Sequence, residues 1–161
     1  MRILVVLGEG GHTVEMLRLL ELLGPKPEYE YHYFLVREEA ISKQRIRYPG
    51  PMYRGSRPQF KDENLLIVAL KYIRLAFQSL YALARVRPRV IMHSGPGIAI
   101  PIALAGKLAG AKIIYVENGA RVRTPSRSGR LMYRMADLFF VQWPELKATL
   151  PRAIYAGSLH G

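Results

Sequence analysis

The sequence predicts an α/β fold, a parallel sheet with helices on both faces, and three observations carry that prediction. Short apolar runs of strand length alternate with longer stretches whose apolar residues recur every three or four positions. Strands separated by helical segments pair in parallel, because the crossover has room for a helix. Two strand-to-helix junctions, at residues 8–12 and 94–97, are glycine turns, and a third strand ends on an acidic residue at the start of the loop 117–126. In open parallel sheets ligands gather where strands end and helices begin, so one rim should hold all three loops.

Residues 2–7 form the first strand. Gly8, Glu9, Gly10, Gly11 and His12 then make a turn into a helix over 13–23. That helix carries Val14, Leu17, Leu20 and Leu23, broadened by Met16 and Leu19, and stops at Gly24-Pro25. Glycines let a backbone approach a ligand, and the free N–H groups of a helix start attract an anion. The turn lacks the third glycine of the dinucleotide fingerprint. Residues 29–36 alternate and are rich in aromatics, as a strand should be.

Residues 37–61 show no period and contain Pro49-Gly50-Pro51 among basic and tyrosine side chains, which predicts a mobile basic loop. Asp62 is placed to cap a long helix reaching Val86. On it Asn64, Lys71, Arg74, Gln78 and Arg85 form a narrow polar stripe, and the rest is apolar. Such a helix either buries two faces within the protein or lies on lipid with its basic stripe at the headgroups. Then follow a strand at 89–93, a helix at 98–109 with Pro101 tolerated in its first turn, and a strand at 112–116. A helix at 127–136, a strand at 138–141 and a short last strand at 153–156 complete the chain.

The chain has 161 residues, half of them apolar, which suits a single domain spanning 1–161. It has no cysteine, which excludes a disulfide framework and zinc–thiolate sites. No Asp, Glu and His spacing suggests a metal site, so no metal and no cofactor are expected. Neither a signal peptide nor a run of about 20 uncharged apolar residues is visible, so no membrane-spanning helix is expected. The net charge is +12 and unevenly placed: there is no acid between Glu63 and Glu117, from Lys43 to Lys61, or from Arg121 to Arg134. Such fields attract nucleic acid, anionic lipid or phosphorylated substrates. None of the standard nucleic-acid motifs is present, and no nucleic-acid partner is expected.

On the predicted rim, His12 and Glu117 are the candidates for a catalytic base. Glu117 has an alternative role, orienting Arg121 four residues on. Gly10, Gly11, Thr13, Gly95 and Gly97 are candidate anion-binding positions, with Arg54, Arg57 and Arg121 lining an anion path. Ser94 lacks the surroundings of a nucleophile elbow, which argues against a hydrolase. Trp143, Pro144 and Leu146 are candidates for an apolar partner surface, with Trp143 equally readable as core.

Several motifs resemble one specific family. They are Gly8 to Thr13 followed by Glu15-Met-Leu17, Arg54-Gly-Ser-Arg57, Gly95-Pro-Gly97 with Pro101, and Tyr115-Val-Glu117 with Arg121-Val122. Ser126, Ser128-Gly129, Ala136-Asp137, Val141-Gln-Trp-Pro144, Pro151 and the stretch from Tyr155 to Gly157 extend the resemblance over nearly the whole chain. The family is the membrane-associated, acceptor-side subunit of the two-chain UDP-N-acetylglucosamine transferase that adds the second sugar to dolichol-diphosphate-GlcNAc. Its bacterial relatives in capsule and exopolysaccharide synthesis look alike.

The resemblance implies a Rossmann-like domain, the N-terminal half of a GT-B type glycosyltransferase split across two chains. This chain would hold the lipid-diphosphate-linked sugar acceptor, and a donor-binding partner subunit would hold the UDP-sugar. Activity would require both. It also implies that His12 occupies the acceptor site and that transfer inverts the sugar by direct attack, without a metal. The family's known form has an N-terminal membrane-spanning helix, whereas this sequence opens at its first strand. Contact with an anionic membrane surface, peripheral and on the cytoplasmic face, is therefore expected from the long helix or the loop 37–61. A non-catalytic membrane scaffold for a catalytic partner is the second reading, and a nucleic-acid-binding domain is the third.

Overall fold

A computed structural model describes residues 1–37, 44–57 and 64–159. Its strands are β1 Arg2–Leu7, β2 Glu30–Val36, β3 Met52–Gly55, β4 Val90–His93, β5 Lys112–Val116, β6 Leu138–Val141 and β7 Ile154–Tyr155. Its helices are α1 Gly11–Leu23, α2 Leu65–Val86, α3 Ala99–Leu108, α4 Arg127–Met135 and α5 Pro144–Thr149. The strands form one sheet in the order β3-β2-β1-β4-β5-β6-β7, and every pairing is parallel. Central β1 is flanked by β2 and β4, so residues 3–7 are all buried, which is why that run is apolar without alternation.

The expected strands and helices are found with their ends displaced by three residues or fewer. Two elements were not foreseen. β3 lies inside the aperiodic stretch 37–61, and α5 follows Trp143, starting on Pro144, whose missing N–H costs nothing at the first helical position. The expected Asp62 cap and the parts of the basic loop at 38–43 and 58–61 lie outside the described residues. Within them, Asn64 caps α2, its side chain accepting the Leu66 N–H at 2.9 Å.

Right-handed crossovers decide where the helices go. From β1 to β2 the chain steps one way across the sheet and lays α1 on one face. From β3 to β4, and then to β5, β6 and β7, it steps the other way, so α2 to α5 all fall on the opposite face. Leu4, Val6, Phe34, Ile91, Ile113 and Tyr115 pack there with Leu75, Ala82, Ile102, Met132 and Leu146. Ile3, Val5, Leu7, Tyr33 and Met92 pack on the α1 side with Met16 and Leu20. Helices thus cover both faces, but unequally. Among the described residues no helix lies over β5 and β6 on the α1 face, and α1 reaches only as far as β4. An apolar trough of about 350 Å³ remains, floored by Met92, Ile114, Leu138 and Phe140 and walled by Leu22 and residues 156–159.

α2 buries Leu75, Ser79, Ala82, Leu83 and Val86. Its outward side presents Leu66, Leu70, Ile73, Phe77, Leu80 and Tyr81, all exposed, with Phe77 at 70%. The helix therefore packs on one side only, and the polar stripe is split. Lys71 and Gln78 are half-buried, with Gln78 accepting the Ser56 N–H at 2.8 Å and donating to its hydroxyl at 3.1 Å, while Arg74 and Arg85 stay exposed. By length and composition alone α2 is long and apolar enough to cross a membrane, although Lys71, Arg74 and Arg85 interrupt it, so the expected absence of an uncharged run of about 20 apolar residues stands beside this finding.

Candidate functional site

β1 and β4 are neighbours whose following segments leave toward opposite faces, which opens a crevice at the ends of these two strands. The two glycine turns meet there. A Cβ on Gly8 would lie 2.4 Å from the Pro96 Cβ, so the turns touch and only glycine fits. Gly10 caps α1 at φ 58° and ψ −128°, a conformation that excludes other residues. Thr13 is buried and its hydroxyl donates to the Gly8 carbonyl at 2.9 Å, so it closes the turn and does not face a ligand. The crevice holds a cleft of about 330 Å³ lined by Gly8, Glu9, His12, Arg57, Tyr72, Gly95, Pro96 and Gly97, with Val36 and Ile98.

His12 is fixed by Ser94. Its Nδ1 is 3.2 Å from the Ser94 hydroxyl oxygen, and that hydroxyl lies 3.1 Å from the His12 carbonyl. A hydroxyl has one proton to give, so both contacts are hydrogen bonds only when Ser94 donates to the carbonyl and Nδ1–H donates to Ser94. In that tautomer Nε2 keeps a lone pair and can accept a proton. His93, just before Ser94, is fully buried, and neither ring nitrogen has a partner among the described residues. Burial, and secondarily the charge of His12, holds its pKa down to about 3. His93 is thus a neutral aromatic wall, edge-on to Tyr115 at 5.1 Å.

The remaining candidates divide. Gly95 and Gly97 line the cleft, and Arg57 stands at its mouth, 3.1 Å from the Glu9 carboxylate. Gly11 opens α1, with the Asn118 side-chain nitrogen 3.7 Å from where its Cβ would be. Arg54 is not in the cleft; its guanidinium donates to the Arg37 carbonyl at 2.9 Å beside the edge strand. Arg121 is exposed on the loop after β5, outside the cleft lining.

Glu117 corrects the expectation of a second base. It is completely buried and accepts from the N–H groups of Asn118 and Ser126, each at 3.0 Å, and from the hydroxyls of Ser126 at 3.2 Å and Tyr115 at 3.3 Å. Both oxygens are spent inside its own loop, and Arg121 is not among these partners. Burial, and then the Glu117 charge, pushes the Tyr115 phenol up, so it remains a donor to that carboxylate. Ser126, held this way, caps α4 by accepting the Gly129 N–H at 2.9 Å. Leu146 is core, whereas Trp143 is 37% exposed and its indole N–H donates to the Gly119 carbonyl at 2.5 Å.

Sequence reasoning missed Ser94 as the partner of His12, and missed Glu15 and Gln142. Glu15 is an acid among the buried positions of α1, beside Met16 and Leu20, which was a usable signal. Gln142 lies inside the Val-Gln-Trp-Pro run. No three His, Asp or Glu side chains converge as metal ligands among the described residues.

The sequence profile of "Oligosaccharide biosynthesis protein Alg14 like" matches residues 3–159. The chain is 33% identical over 181 residues to the human protein named UDP-N-acetylglucosamine transferase subunit ALG14, covering 98% of this chain and 82% of that one. The Saccharomyces cerevisiae protein of the same name is 32% identical over 187 residues, covering 99% and 77%. Among solved structures, Acinetobacter baumannii MurG superposes with a TM-score of 0.75 at 15% identity, covering 98% of this chain and 45% of that one. The UDP-GlcNAc 2-epimerase from Neisseria meningitidis gives 0.74 at 13% identity, covering 99% and 47%. The chain spans less than half of either structure, and at these identities the likeness concerns the fold. The family match runs from β1 to the end of the described chain and takes in both glycine turns, His12 and the loop after β5: this protein belongs to the Alg14-like family of oligosaccharide biosynthesis proteins.

Proposed function

We propose that this chain is the acceptor-binding and membrane-recruiting subunit of a heteromeric, inverting glycosyltransferase. The reaction moves a sugar, GlcNAc by the names its relatives carry, from a UDP-sugar to a polyprenyl- or dolichyl-diphosphate-linked sugar. The observation that carries this reading is His12, held by Ser94 with Nε2 free to accept a proton, in a cleft framed by two glycine turns and the start of α1. The acceptor diphosphate lies against those turns and Arg57, where backbone N–H groups and a guanidinium meet its charge. The acceptor hydroxyl gives its proton to His12 Nε2 as its oxygen bonds to the sugar C1. The C1–oxygen bond to UDP breaks and UDP leaves with the electron pair. One displacement inverts the anomeric centre.

A lone domain offers one wall of a two-substrate cleft. The donor-binding partner supplies the other wall and the UDP-sugar site, and it seats on the apolar trough beside β4–β6. The outward side of α2, with Arg74 and Arg85 at its flank, rests on an anionic membrane surface at the cytoplasmic face.

The test is a transfer assay with the two chains co-expressed, UDP-GlcNAc as donor and a short polyprenyl-diphosphate-GlcNAc as acceptor. Product is expected only with both chains. His12→Ala is expected to lower turnover about a hundredfold or more with the complex intact. Undiminished turnover in an intact complex moves the protein to the scaffold reading.

A further inference from the structure

We propose that Glu15 is a positioning residue for the acceptor cleft, one that sets the first turn of α1, and with it His12, by fastening that turn to the loop after β5. The inference rests on the reading of His12 given above. Glu15 lies one helical turn beyond His12, is 1% exposed and does not line the cleft. Its carboxylate accepts the Gly119 N–H at 2.6 Å, the Asn118 side-chain amide at 3.3 Å and the Gln142 side-chain amide at 3.1 Å. These partners are 103 to 127 residues away in sequence, so local helix formation does not require them. An ionised carboxylate is among the costliest groups to bury, and it is tolerated here because N–H donors from two other segments converge on it.

The grip is two-sided. Gly119 is held by Glu15 at its N–H and by the Trp143 indole at its carbonyl. Gln142 donates to Glu15 and also to the Glu117 carbonyl at 3.1 Å, while its own carbonyl accepts the Leu159 N–H at 2.9 Å. Asn118, pulled in by Glu15, stands beside Gly11, the residue before His12. The carboxylate therefore joins α1, the loop after β5, the turn after β6 and the C-terminal segment. In-line attack is sensitive to displacements of about 1 Å. Glutamine at position 15 has the same shape but turns one acceptor into a donor, so it cannot satisfy three N–H groups at once.

The experiment uses the assembled two-chain enzyme and scores turnover per complex, which removes any loss of folded protein. Glu15→Gln is expected to lower kcat at least tenfold, with the UDP-sugar KM and the affinity for the partner within twofold of wild type. The His12 ring C–H signal in NMR, assigned by its loss in His12→Gln, is expected to move. Asn118→Ala, which removes one of the three donors to Glu15 and also the acceptor of the Ala120 N–H, gives a smaller loss in the same direction and decides the matter if Glu15→Gln does not assemble. Turnover per complex within twofold of wild type overturns the proposal, as does a loss of turnover with the His12 signal unmoved. If His12→Ala itself retains activity, the reading of the site fails; if His12→Ala is inactive while Glu15→Gln is active, only the role of Glu15 fails.

Discussion

His12 and His93 have opposite fates. His12 lines the cleft, whereas His93 is sealed in the interior with its pKa held near 3 by burial. An unfolded chain would protonate His93 near its ordinary value of 6.5. Between those two values the unfolded state binds more protons, so stability falls as pH drops from about 6.5 toward 3. His93→Phe, which keeps an aromatic ring against Tyr115, is expected to flatten that loss in denaturant titrations between pH 7 and about 4. An equally steep loss in the variant sinks the assignment. Asp137 adds a loss of the same sign but at lower pH: burial favours its neutral form but is outweighed by Lys107, the Ile113 N–H and Lys112, so it titrates at about 2 and its stabilisation is lost mainly below its ordinary 3.8. At this scale the sequence was partly legible. The residue type and the turn before it pointed to His12. That the Thr13 and Glu117 side chains turn back onto backbone groups of their own turns was not legible, because those partners are set by the turn geometry and not by residue type. Glu15 was passed over because its partners come from distant segments.

α2 was legible as a helix but not in its orientation. A sequence apolar almost all round does not say which side meets the core, and the structure turns Leu75, Ala82 and Leu83 inward and Leu70 and Phe77 outward. Paired changes Leu70→Glu and Phe77→Glu are expected to abolish co-sedimentation with vesicles containing anionic phospholipid. Stability should hold within about 1 kcal/mol, because neither side chain is in the core. Undiminished binding would take the membrane role away from this helix. β3 escaped notice for a different reason: Met52-Tyr-Arg-Gly55 is too short to show a period, and it forms because Phe34 and Leu35 of β2 offer it an edge to pair with. α5, six residues long, is below the length at which a helical stripe repeats.

For the molecule as a whole, alternation predicted the parallel sheet, but the bare half of one face was hidden in the strand order. Four successive steps in one direction, under the right-handed rule, leave β5 and β6 without a helix on the α1 side. Leu138, exposed in the floor of that trough, is the place to test its use. Leu138→Lys is expected to weaken binding to the donor-side chain at least tenfold while the isolated chain keeps its stability within about 0.5 kcal/mol. Transfer lost at low concentration should return with excess partner, and unchanged affinity would relocate the interface.

The bare half-face also has a consequence for supply. A polypeptide that displays an open apolar floor is adhesive until something covers it, and surplus copies cluster or are destroyed. If the donor-side chain is what covers this floor, as proposed, the scarcer of the two chains sets the amount of enzyme, and the cell has reason to make both in step.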